Sequence, residues 1–405
     1  RRAHPNTTDR TNPATAAAGD RHRIECEAKL VGTSPAAWMH FIVSITLDAF
    51  ENPRIALLRL SALGDISHTV PVVRALQRAR PDLAIDWIID PAGARLLSDI
   101  DGVNWIRCDK HRGATELLSL RRRLRGPAYP ALLMLQTSLR ANLIGLTVHA
   151  RLRLGWDHRR AREGHRLVIN RCIDETPPQH QVQGFLAFAR SLGVAAREPE
   201  WNLPIPARAR QFAGQQMPAA KQTLIISPCS SHALREWSVE GYARVAEAAR
   251  SDFGLDVMLC GGRSNREAEV GRRIEAAART RLNNMIGRDT LPALLAMLER
   301  AAVVLSPDAG PAHLANAVGT AVIGLHAATW SKRSGPYHSL PLCVDHFRAS
   351  ARRYLRREPE SLRWGTRIER PGVMDSISVA EVLDRLQAAS NCDYRPPGLH
   401  HESTQ

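Results

Sequence analysis

The fold of this chain is decided by residues 54–69, which read RIALLRLSALGDISHT. The first six form a short apolar strand pattern, and a helical pattern follows the turn from Arg59 to Thr69. Strand, turn and helix in this order are typical of parallel α/β sheets, whose ligands lie at the carboxyl ends of the strands. We therefore predict that this turn faces a binding cleft.

Two series of such units follow along the chain. The predicted strands are 54–59, 84–89, 103–107 and 131–135, then 223–227, 255–260, 302–305 and 321–325. The predicted helices are 68–79, 114–125 and 138–149, then 239–251, 265–279, 290–299 and 311–318. Prolines interrupt the pattern between the two series and indicate a linker over 198–217. The sequence therefore predicts two α/β domains that face one another across a cleft.

The domains are predicted at residues 51–205 and 206–345. Residues 1–50 show neither helical nor strand periodicity, so they are predicted to be a disordered extension, in which Met39 is a candidate start of translation. We expect residues 346–390, which include a helix near 378–389, to pack back on the first domain. Residues 391–405 are predicted to be a disordered tail.

Composition narrows the choice of partners and compartment. The formal net charge is +15 and the pI is about 10.3, which favours acidic partners. No basic stretch is interleaved with stacking aromatics, so the sequence does not indicate a nucleic-acid partner. The seven cysteines contain no C-x-x-C pair, which indicates a reducing compartment and no metal site. No apolar run approaches the roughly 20 residues that span a bilayer, so we expect a cytoplasmic protein that is at most peripheral on a membrane.

Asp65 stands at the turn between the first strand and its helix. It fits two interpretations: a helix N-cap that satisfies free amides, or a carboxylate presented to a hydroxyl group as a general base. The helix dipole favours the ionised carboxylate in either case. A G-x-G-x-x-G motif is absent from both domains, which argues against a nicotinamide-dependent oxidoreductase.

The turn after the first strand of the second domain contains adjacent hydroxyls and a cation. Ser230 and Ser231 can donate hydrogen bonds to a phosphate, and Arg235 can bind two of its oxygens. A polar loop ahead of a buried Trp237 accounts for the same residues equally well. The pattern alone leaves both interpretations open.

Two further turns carry side chains suited to a nucleotide. Gly310 allows close approach of the backbone, and the helix that begins there presents free amides to a diphosphate. Asp308 is alternatively an N-cap, and His313 an interior histidine with its hydrogen bonds satisfied. Glu267 can accept hydrogen bonds from ribose hydroxyls, or can simply begin a surface helix.

These motifs, in this order, resemble the ADP-heptose:lipopolysaccharide heptosyltransferases of glycosyltransferase family nine. The resemblance runs from about Arg54 to about Leu386 and rests on several motifs together. They are SALGDISHT at 61–69, LQTSLRAN at 135–142, GWDHRRARE at 155–163, SSHALREW at 230–237 and SPDAGPAH at 306–313, with GPY at 335–337 and RWGTRIE at 363–369 similar to one subgroup.

The resemblance implies the glycosyltransferase B fold, in which two Rossmann-like domains with parallel sheets face a cleft. It implies an inverting transfer without an obligatory metal or other cofactor, with ADP-heptose as co-substrate. The first domain would bind the acceptor and the second the nucleotide-sugar donor. Asp65 would be the base, and Arg235 would stabilise the leaving diphosphate. The implied donor-binding residues are Ser230, Ser231, Glu267, Asp308, Ala309, Gly310 and His313.

The implied acceptor is an acidic lipopolysaccharide precursor, the inner core on lipid A, reached at the cytosolic face of the inner membrane. The candidate acceptor-binding residues are Arg112, Arg121, Arg122, Arg123 and Arg140. Ala309 stands where familiar core heptosyltransferases have threonine, which leaves a different nucleotide sugar open as the donor. A non-catalytic nucleotide- or glycan-binding protein on the same scaffold is the alternative from another class. The presence of Asp65, Arg235 and His313 together argues against it.

Overall fold

The computed structural model describes residues 46–50, 53–109 and 112–390. The predicted disorder of residues 1–45 and 391–405 lies outside this range. Residues 46–50, predicted to belong to the disordered extension, contain the turn Leu47–Ala49. Leu47 and Phe50 are buried, and the Leu47 amide donates to the Leu192 carbonyl at 2.9 Å. The prediction is wrong for these five residues, because their two large apolar side chains pack in the core.

Two sheets, each of six parallel strands, form the centre of the described chain. The strands are β1 Arg54–Leu58, β2 Ala84–Ile89, β3 Val103–Arg107, β4 Tyr129–Met134, β5 Ala150–Gly155, β6 Arg171–Cys172, β7 Thr223–Ile226, β8 Asp256–Leu259, β9 Asn283–Asn284, β10 Val303–Pro307, β11 Ala321–His326 and β12 Val344–Asp345. The first sheet has the order β3-β2-β1-β4-β5-β6, and the second has the equivalent order β9-β8-β7-β10-β11-β12. The predicted pair of Rossmann-like sheets is confirmed.

Helices cover both faces of each sheet, as parallel strands require. They are α1 Leu63–Ala79, α2 Pro91–Leu96, α3 Gly113–Arg123, α4 Leu139–Thr147, α5 Gln181–Arg190, α6 Ala207–Gln216, α7 Val239–Ser251, α8 Asn265–Ala277, α9 Leu291–Arg300, α10 Gly310–Ala317, α11 Ser331–Ser334, α12 Phe347–Ser350 and α13 Val379–Ser390. We call β1–β6 with α1–α5 the first lobe, and β7–β12 with α6–α13 the second lobe.

Sequence patterns missed four strands and five helices, which are β5, β6, β9, β12, α2, α5, α6, α11 and α12. β6, β9 and β12 have two residues each, too few for a periodic signal. β5 alternates arginine with buried leucine, a period-two pattern at the end of the predicted helix 138–149. The predicted linker 198–217 contains α6, whose Ala209 and Ala213 are buried. α6 packs on α9. The second half of the predicted linker, after Pro206, is therefore a helix of the second lobe.

The two lobes share one continuous apolar core. α1 of the first lobe packs against α10 of the second. A β-carbon built on Gly64 would lie 2.5 Å from Cδ2 of His313, and one built on Gly310 would lie 3.3 Å from Cβ of Leu63. The first turns of the two helices are therefore in contact, with the backbone of each against a side chain of the other. This contact brings together the two loops that were predicted to bind ligands.

The helix near 378–389 was expected to pack back on the first domain, and this is wrong. α13 packs on α7 and β11 of the second lobe, with Val382 and Leu386 fully buried there. Its apolar stripe matches that layer, and the His346 ring binds the Glu381 carboxylate at 2.8 Å. The segment before α13 does reach the first lobe, because the Trp364 indole donates to the Gln179 carbonyl at 3.1 Å.

Candidate active site

A cleft of about 1180 Å³ opens at the carboxyl ends of β1 and β4. Its walls are Arg59, Asp65 and residues 135–138 of the first lobe, the loops 156–163 and 176–181, and Arg333 with residues 360–367 of the second lobe. Strands β1 and β4 are neighbours at which the strand order reverses, the place where open parallel sheets form a crevice. The prediction that the turn after β1 faces a cleft is confirmed.

Asp65 is the third residue of α1, and the N-cap position is Ala62. The N-cap interpretation of Asp65 is therefore wrong. Its carboxylate is ion-paired with the Arg59 guanidinium, which also donates to the Leu135 carbonyl at 2.9 Å. About a third of the Asp65 side chain stays exposed to the cleft, since 36% of its surface is accessible. The carboxylate is thus held in place and still open to a ligand.

Arg59 was not singled out by the sequence, because it reads as the last residue of a strand. It is buried, and its guanidinium lies 5.4 Å from the centre of the Phe185 ring. Burial lowers the pKa of Arg59, and the charge of Asp65 offsets part of that effect. The buried Arg59 guanidinium thus holds the partly exposed Asp65 carboxylate in one orientation, open to the cleft.

Asp308 precedes the N-cap of α10, which is Ala309, so the N-cap interpretation is wrong here too. Its carboxylate accepts a hydrogen bond from Ser334 Oγ at 3.0 Å and lies 3.4 Å from Nε2 of His313. Burial by itself raises the pKa of Asp308, but the bond from His313 and the charge of His326 hold it well below its usual range. Asp308 therefore fixes the His313 ring from inside the second lobe.

His313 does not have its hydrogen bonds satisfied, as an ordinary interior histidine would. Its Nδ1 is buried and has no partner among the described residues. Its ring meets the edge of His68 with centroids 4.5 Å apart. Burial lowers the pKa of His68 well below its usual value, and the neighbouring His313 and His180 lower it further. Rings from opposite lobes thus pack against each other near the starts of α1 and α10.

Arg333 is another cleft residue that sequence analysis missed. Its Nη2 donates to Oε1 of Gln181 at 3.1 Å, and a β-carbon on Gly365 would lie 3.0 Å from its Nε. Burial lowers the pKa of Arg333, whereas the charges of Asp65 and Asp308 raise it. This cation therefore lies within electrostatic range of both carboxylates. No local motif marks it, although the neighbouring GPY at 335–337 does belong to the family pattern.

Arg235 and its serines lie outside the walls of this cleft. Nε and Nη2 of Arg235 donate to Oε1 of Glu369 at 2.7 and 2.5 Å. Ser230 Oγ donates to the His232 carbonyl at 2.9 Å, and Ser231 is exposed. The loop is held by its own hydrogen bonds and by the segment that contains Glu369.

Glu267 lies in the first turn of α8 and closes that turn. Its carboxylate accepts hydrogen bonds from the Gly262 amide and, at 3.2 Å, from Ser264 Oγ, the N-cap. Nearby, Arg266 donates to the Ser230 carbonyl at 2.7 Å and pairs with Glu236. The structure thus connects the predicted ribose and phosphate loops at the carboxyl ends of β7 and β8.

The five arginines predicted to bind the acceptor are not in the cleft. They lie on α3 and at the start of α4, and all are exposed. Arg112 and Arg123 approach the buried Glu116 at 3.6 and 3.8 Å. Other arginines line the cleft instead: Arg59, Arg159, Arg160, Arg162, Arg333, Arg363 and Arg367. Within residues 46–50, 53–109 and 112–390, no three His, Cys, Asp or Glu side chains are grouped to hold a metal ion.

Comparison with known proteins shows similarity to one family of enzymes. Residues 117–358 match the model of glycosyltransferase family 9 (heptosyltransferase). The chain is 36% identical over 338 residues to the lipopolysaccharide core heptosyltransferase OpsX of Haemophilus influenzae, covering 83% of this chain and 97% of that protein.

Solved structures show the same fold. A family 9 glycosyl transferase from Veillonella parvula has a TM-score of 0.68 and 18% identity, over 83% of this chain and 97% of that one. The E. coli heptosyltransferase WaaC, solved with ADP-2-deoxy-2-fluoro heptose, has a TM-score of 0.56 and 22% identity, over 68% of this chain and 89% of that one. The predicted glycosyltransferase B architecture is confirmed.

Proposed function

Because the chain belongs to glycosyltransferase family 9, we propose that it transfers a heptose from ADP-heptose to the inner core of a lipopolysaccharide precursor. The chain is a glycosyltransferase. Similarity to OpsX over 97% of that core heptosyltransferase supports the choice of substrates. The observation that carries the proposal within the molecule is the Asp65 carboxylate, which is partly exposed in the cleft and lies next to the contact between α1 and α10.

Asp65 is the proposed base. It takes the proton of the acceptor hydroxyl, whose oxygen attacks the anomeric carbon of the heptose from the face opposite the phosphate. The bond from that carbon to the diphosphate breaks, ADP leaves with the electron pair, and the anomeric configuration inverts. The proposed scheme uses no metal or other cofactor, because Asp65 accepts the proton and protein cations neutralise the leaving diphosphate.

The donor is proposed to lie along the second lobe. The N-terminus of α10 would bind the diphosphate, with Gly310 allowing close approach and His313 held by Asp308. Arg333 would neutralise charge that develops on the leaving group, because it faces both lobes. The remaining proposed donor-binding residues are Ser230, Ser231, Glu267 and Ala309. Arg235 keeps its proposed role only if ADP competes with Glu369 for its guanidinium.

We propose that the acceptor binds an arginine triad, which is formed by Arg162, Arg363 and Arg367. All three line the cleft, and none pairs with a carboxylate of the described residues. The pKa of Arg162 is lowered by burial first and then by the charges of Arg363 and Arg367. Three cations that repel one another in the cleft that Asp65 also lines favour binding of an acidic group, a carboxylate or phosphate of the acceptor sugar.

Acceptor-dependent release of ADP tests the transfer itself. The purified chain is incubated with ADP-heptose and a truncated lipopolysaccharide acceptor, and the product mass is measured. We expect ADP release only when the acceptor is present. The same assay with other nucleotide sugars tests the donor, since faster turnover with one of them would replace heptose. Proton NMR of the product tests inversion, and undiminished activity after treatment with a chelator tests independence from metal.

Kinetic constants test the arginine triad. We expect the double substitution Arg162→Gln/Arg367→Gln to raise the KM for the acceptor about tenfold or more, because charged hydrogen bonds contribute about 1.5–3 kcal/mol each. The KM for ADP-heptose should stay unchanged. Arg208→Gln serves as the control, because Arg208 is exposed on α6 and does not line the cleft. An unchanged acceptor KM in an active double variant would remove the triad from acceptor binding.

A further inference from the structure

Large apolar side chains that are exposed occur in one region of the described chain. They lie on α3, on α4 and in the turn His165–Leu167, and each is between 44% and 89% exposed. They are Leu118, Leu139, Leu143, Leu146 and Leu167. Elsewhere in residues 46–50, 53–109 and 112–390, large apolar side chains are at least partly covered. Such clustering is unusual for a surface that faces only water.

The five leucines belong to one surface. On α4 the spacing of residues 139, 143 and 146 places them on one side of the helix. α3, which carries Leu118, packs against α4. The loop before Leu167 is tied to the same helix, because the Leu139 amide donates to the Glu163 carboxylate at 2.6 Å and Asn142 donates to the Glu163 carbonyl at 2.8 Å. We call this surface the leucine face.

Positive charge lies beside the leucines. Arg121 and Arg122 follow Leu118 by three and four residues, so they share its side of α3. Arg140 and Arg166 adjoin Leu139 and Leu167 in sequence, and both are exposed. These four arginines make no ion pair with the described carboxylates, and Arg166 instead hydrogen-bonds to the His158 ring at 2.9 Å. Leucines next to unpaired arginines match a bilayer surface, with apolar chains inside and anionic headgroups around them.

The leucine face begins at the mouth of the cleft. Ser138 caps α4, accepting a hydrogen bond from the Ala141 amide at 3.4 Å, and it also lines the cleft. Glu163 likewise both borders α4 and lines the cleft. A surface that lay against a membrane here would open the cleft toward lipid. No helix among the described residues is long and apolar enough to cross a bilayer.

We infer that the leucine face docks on a bilayer that contains anionic lipid and thereby presents the cleft to a lipid-anchored acceptor. The second half of this inference rests on the proposed function, whereas the docking itself does not. A different role then follows for Arg121, Arg122 and Arg140, which the sequence predicted to bind the acceptor. They would bind lipid headgroups at the rim of the face rather than the sugar in the cleft.

Vesicle flotation tests the docking without donor or acceptor present. The full chain is mixed with vesicles of phosphatidylethanolamine and phosphatidylglycerol, and separately with neutral phosphatidylcholine vesicles. We expect wild-type protein to float with the anionic vesicles and to be released by salt. Leu143→Gln/Leu146→Gln should reduce the bound fraction about tenfold, since each leucine loses its apolar burial. Arg121→Gln/Arg122→Gln should weaken binding by about fivefold per arginine.

Two matched variants make the result specific. Leu143→Met/Leu146→Met keeps the apolar character and should float like wild type, and Arg208→Gln removes an exposed arginine elsewhere and should do the same. Because the substituted leucines are exposed, the thermal unfolding midpoint should not change. Wild-type protein that stays out of the anionic vesicles overturns the inference. So does equal flotation of the glutamine variants, or a dimer in solution that these variants abolish. Heptose transfer by the same protein would stand in each of those cases.

Discussion

Asp65 shows how much a single residue depends on its neighbours. Its carboxylate projects from the first turn of α1 into the cleft while Arg59, buried behind it, pairs with it. Local sequence suggests a helix cap as readily as a base. The cap position belongs to Ala62, so the carboxylate does not cap the helix and remains partly open to the cleft.

Replacing Asp65 should therefore remove turnover and leave the fold intact. We expect Asp65→Asn to lower kcat about 10²-fold or more, because the amide cannot accept the acceptor proton. The affinity for ADP should hardly change, since the diphosphate is proposed to bind the second lobe. Steady-state kinetics and calorimetric ADP binding measure the two quantities.

The control for this substitution is Asp99→Asn. Asp99 is exposed, and its carboxylate accepts only a local bond from Ser98 Oγ at 2.7 Å. It should retain wild-type kcat. Near wild-type turnover of Asp65→Asn would exclude Asp65 as the base.

At the scale of elements, the decisive contact is that between α1 and α10. Both helices begin at the carboxyl end of a central strand, β1 in one lobe and β10 in the other. Gly64 lets the His313 ring approach the α1 backbone, and the ring cannot retreat easily because His68 and Asp308 hold it. A methyl group at position 64 has to displace the ring or part the helices.

Gly64→Ala should for this reason disturb the site. We expect kcat/KM to fall about tenfold or more, as small displacements of reacting groups are costly. The matched control is Gly214→Ala, in the exposed part of α6, where an added β-carbon meets nothing within 4 Å. That change should raise the free energy of unfolding by about 0.5–1 kcal/mol and leave activity unchanged. Equal activity of the two variants would show that the contact does not matter for turnover.

For the whole molecule, buried histidines connect stability to pH. Nε2 of His180 binds the Gly335 carbonyl at 2.8 Å, which joins the first lobe to the second. Burial lowers the pKa of His180 to about 4, although the bond to Gly335 acts in the opposite direction. His165, also buried, has its pKa lowered to about 4 by burial. Both rings are therefore neutral in the native protein near pH 7.

The sign of the pH effect follows from these two values. Between the ordinary histidine pKa of about 6.5 and the native value of about 4, the unfolded chain binds more protons than the native one. The contribution of the two neutral histidines to the free energy of unfolding is therefore fully present above about pH 6.5. It falls as the pH drops toward 4. For His180 the loss approaches about 3 kcal/mol.

Urea unfolding at pH 7.0 and 4.5 measures this loss. We expect a lower midpoint at pH 4.5 and a smaller difference between the two pH values in His180→Gln, whose amide does not titrate. His149→Gln, at an exposed position, should keep the wild-type difference. If His180→Gln also kept it, the titration of His180 would not contribute to acid sensitivity.

The sequence by itself determined the two series of strands and helices, the family, and the turns at the carboxyl ends of the central strands. These features are local, because apolar periodicity and turn residues act between near neighbours in the chain. The positions of Asp65, Asp308, Gly310 and His313 could be predicted for the same reason: each closes a strand or begins a helix. The chemical role of each remains a prediction.

Only the tertiary structure decided which side chains share the cleft. Arg59 directly follows strand β1, and Arg333 lies in a stretch without a motif, yet Arg59 pairs with Asp65 and Arg333 interacts with its charge. Arg162 and Arg367 are more than two hundred residues apart in the chain and meet because residues 360–367 cross to the first lobe. The arginines of α3 look equally basic in sequence but face away from the cleft. The number of arginines in the sequence does not show which of them face the cleft. The packing of α3 on α4 and of α1 on α10 decides this.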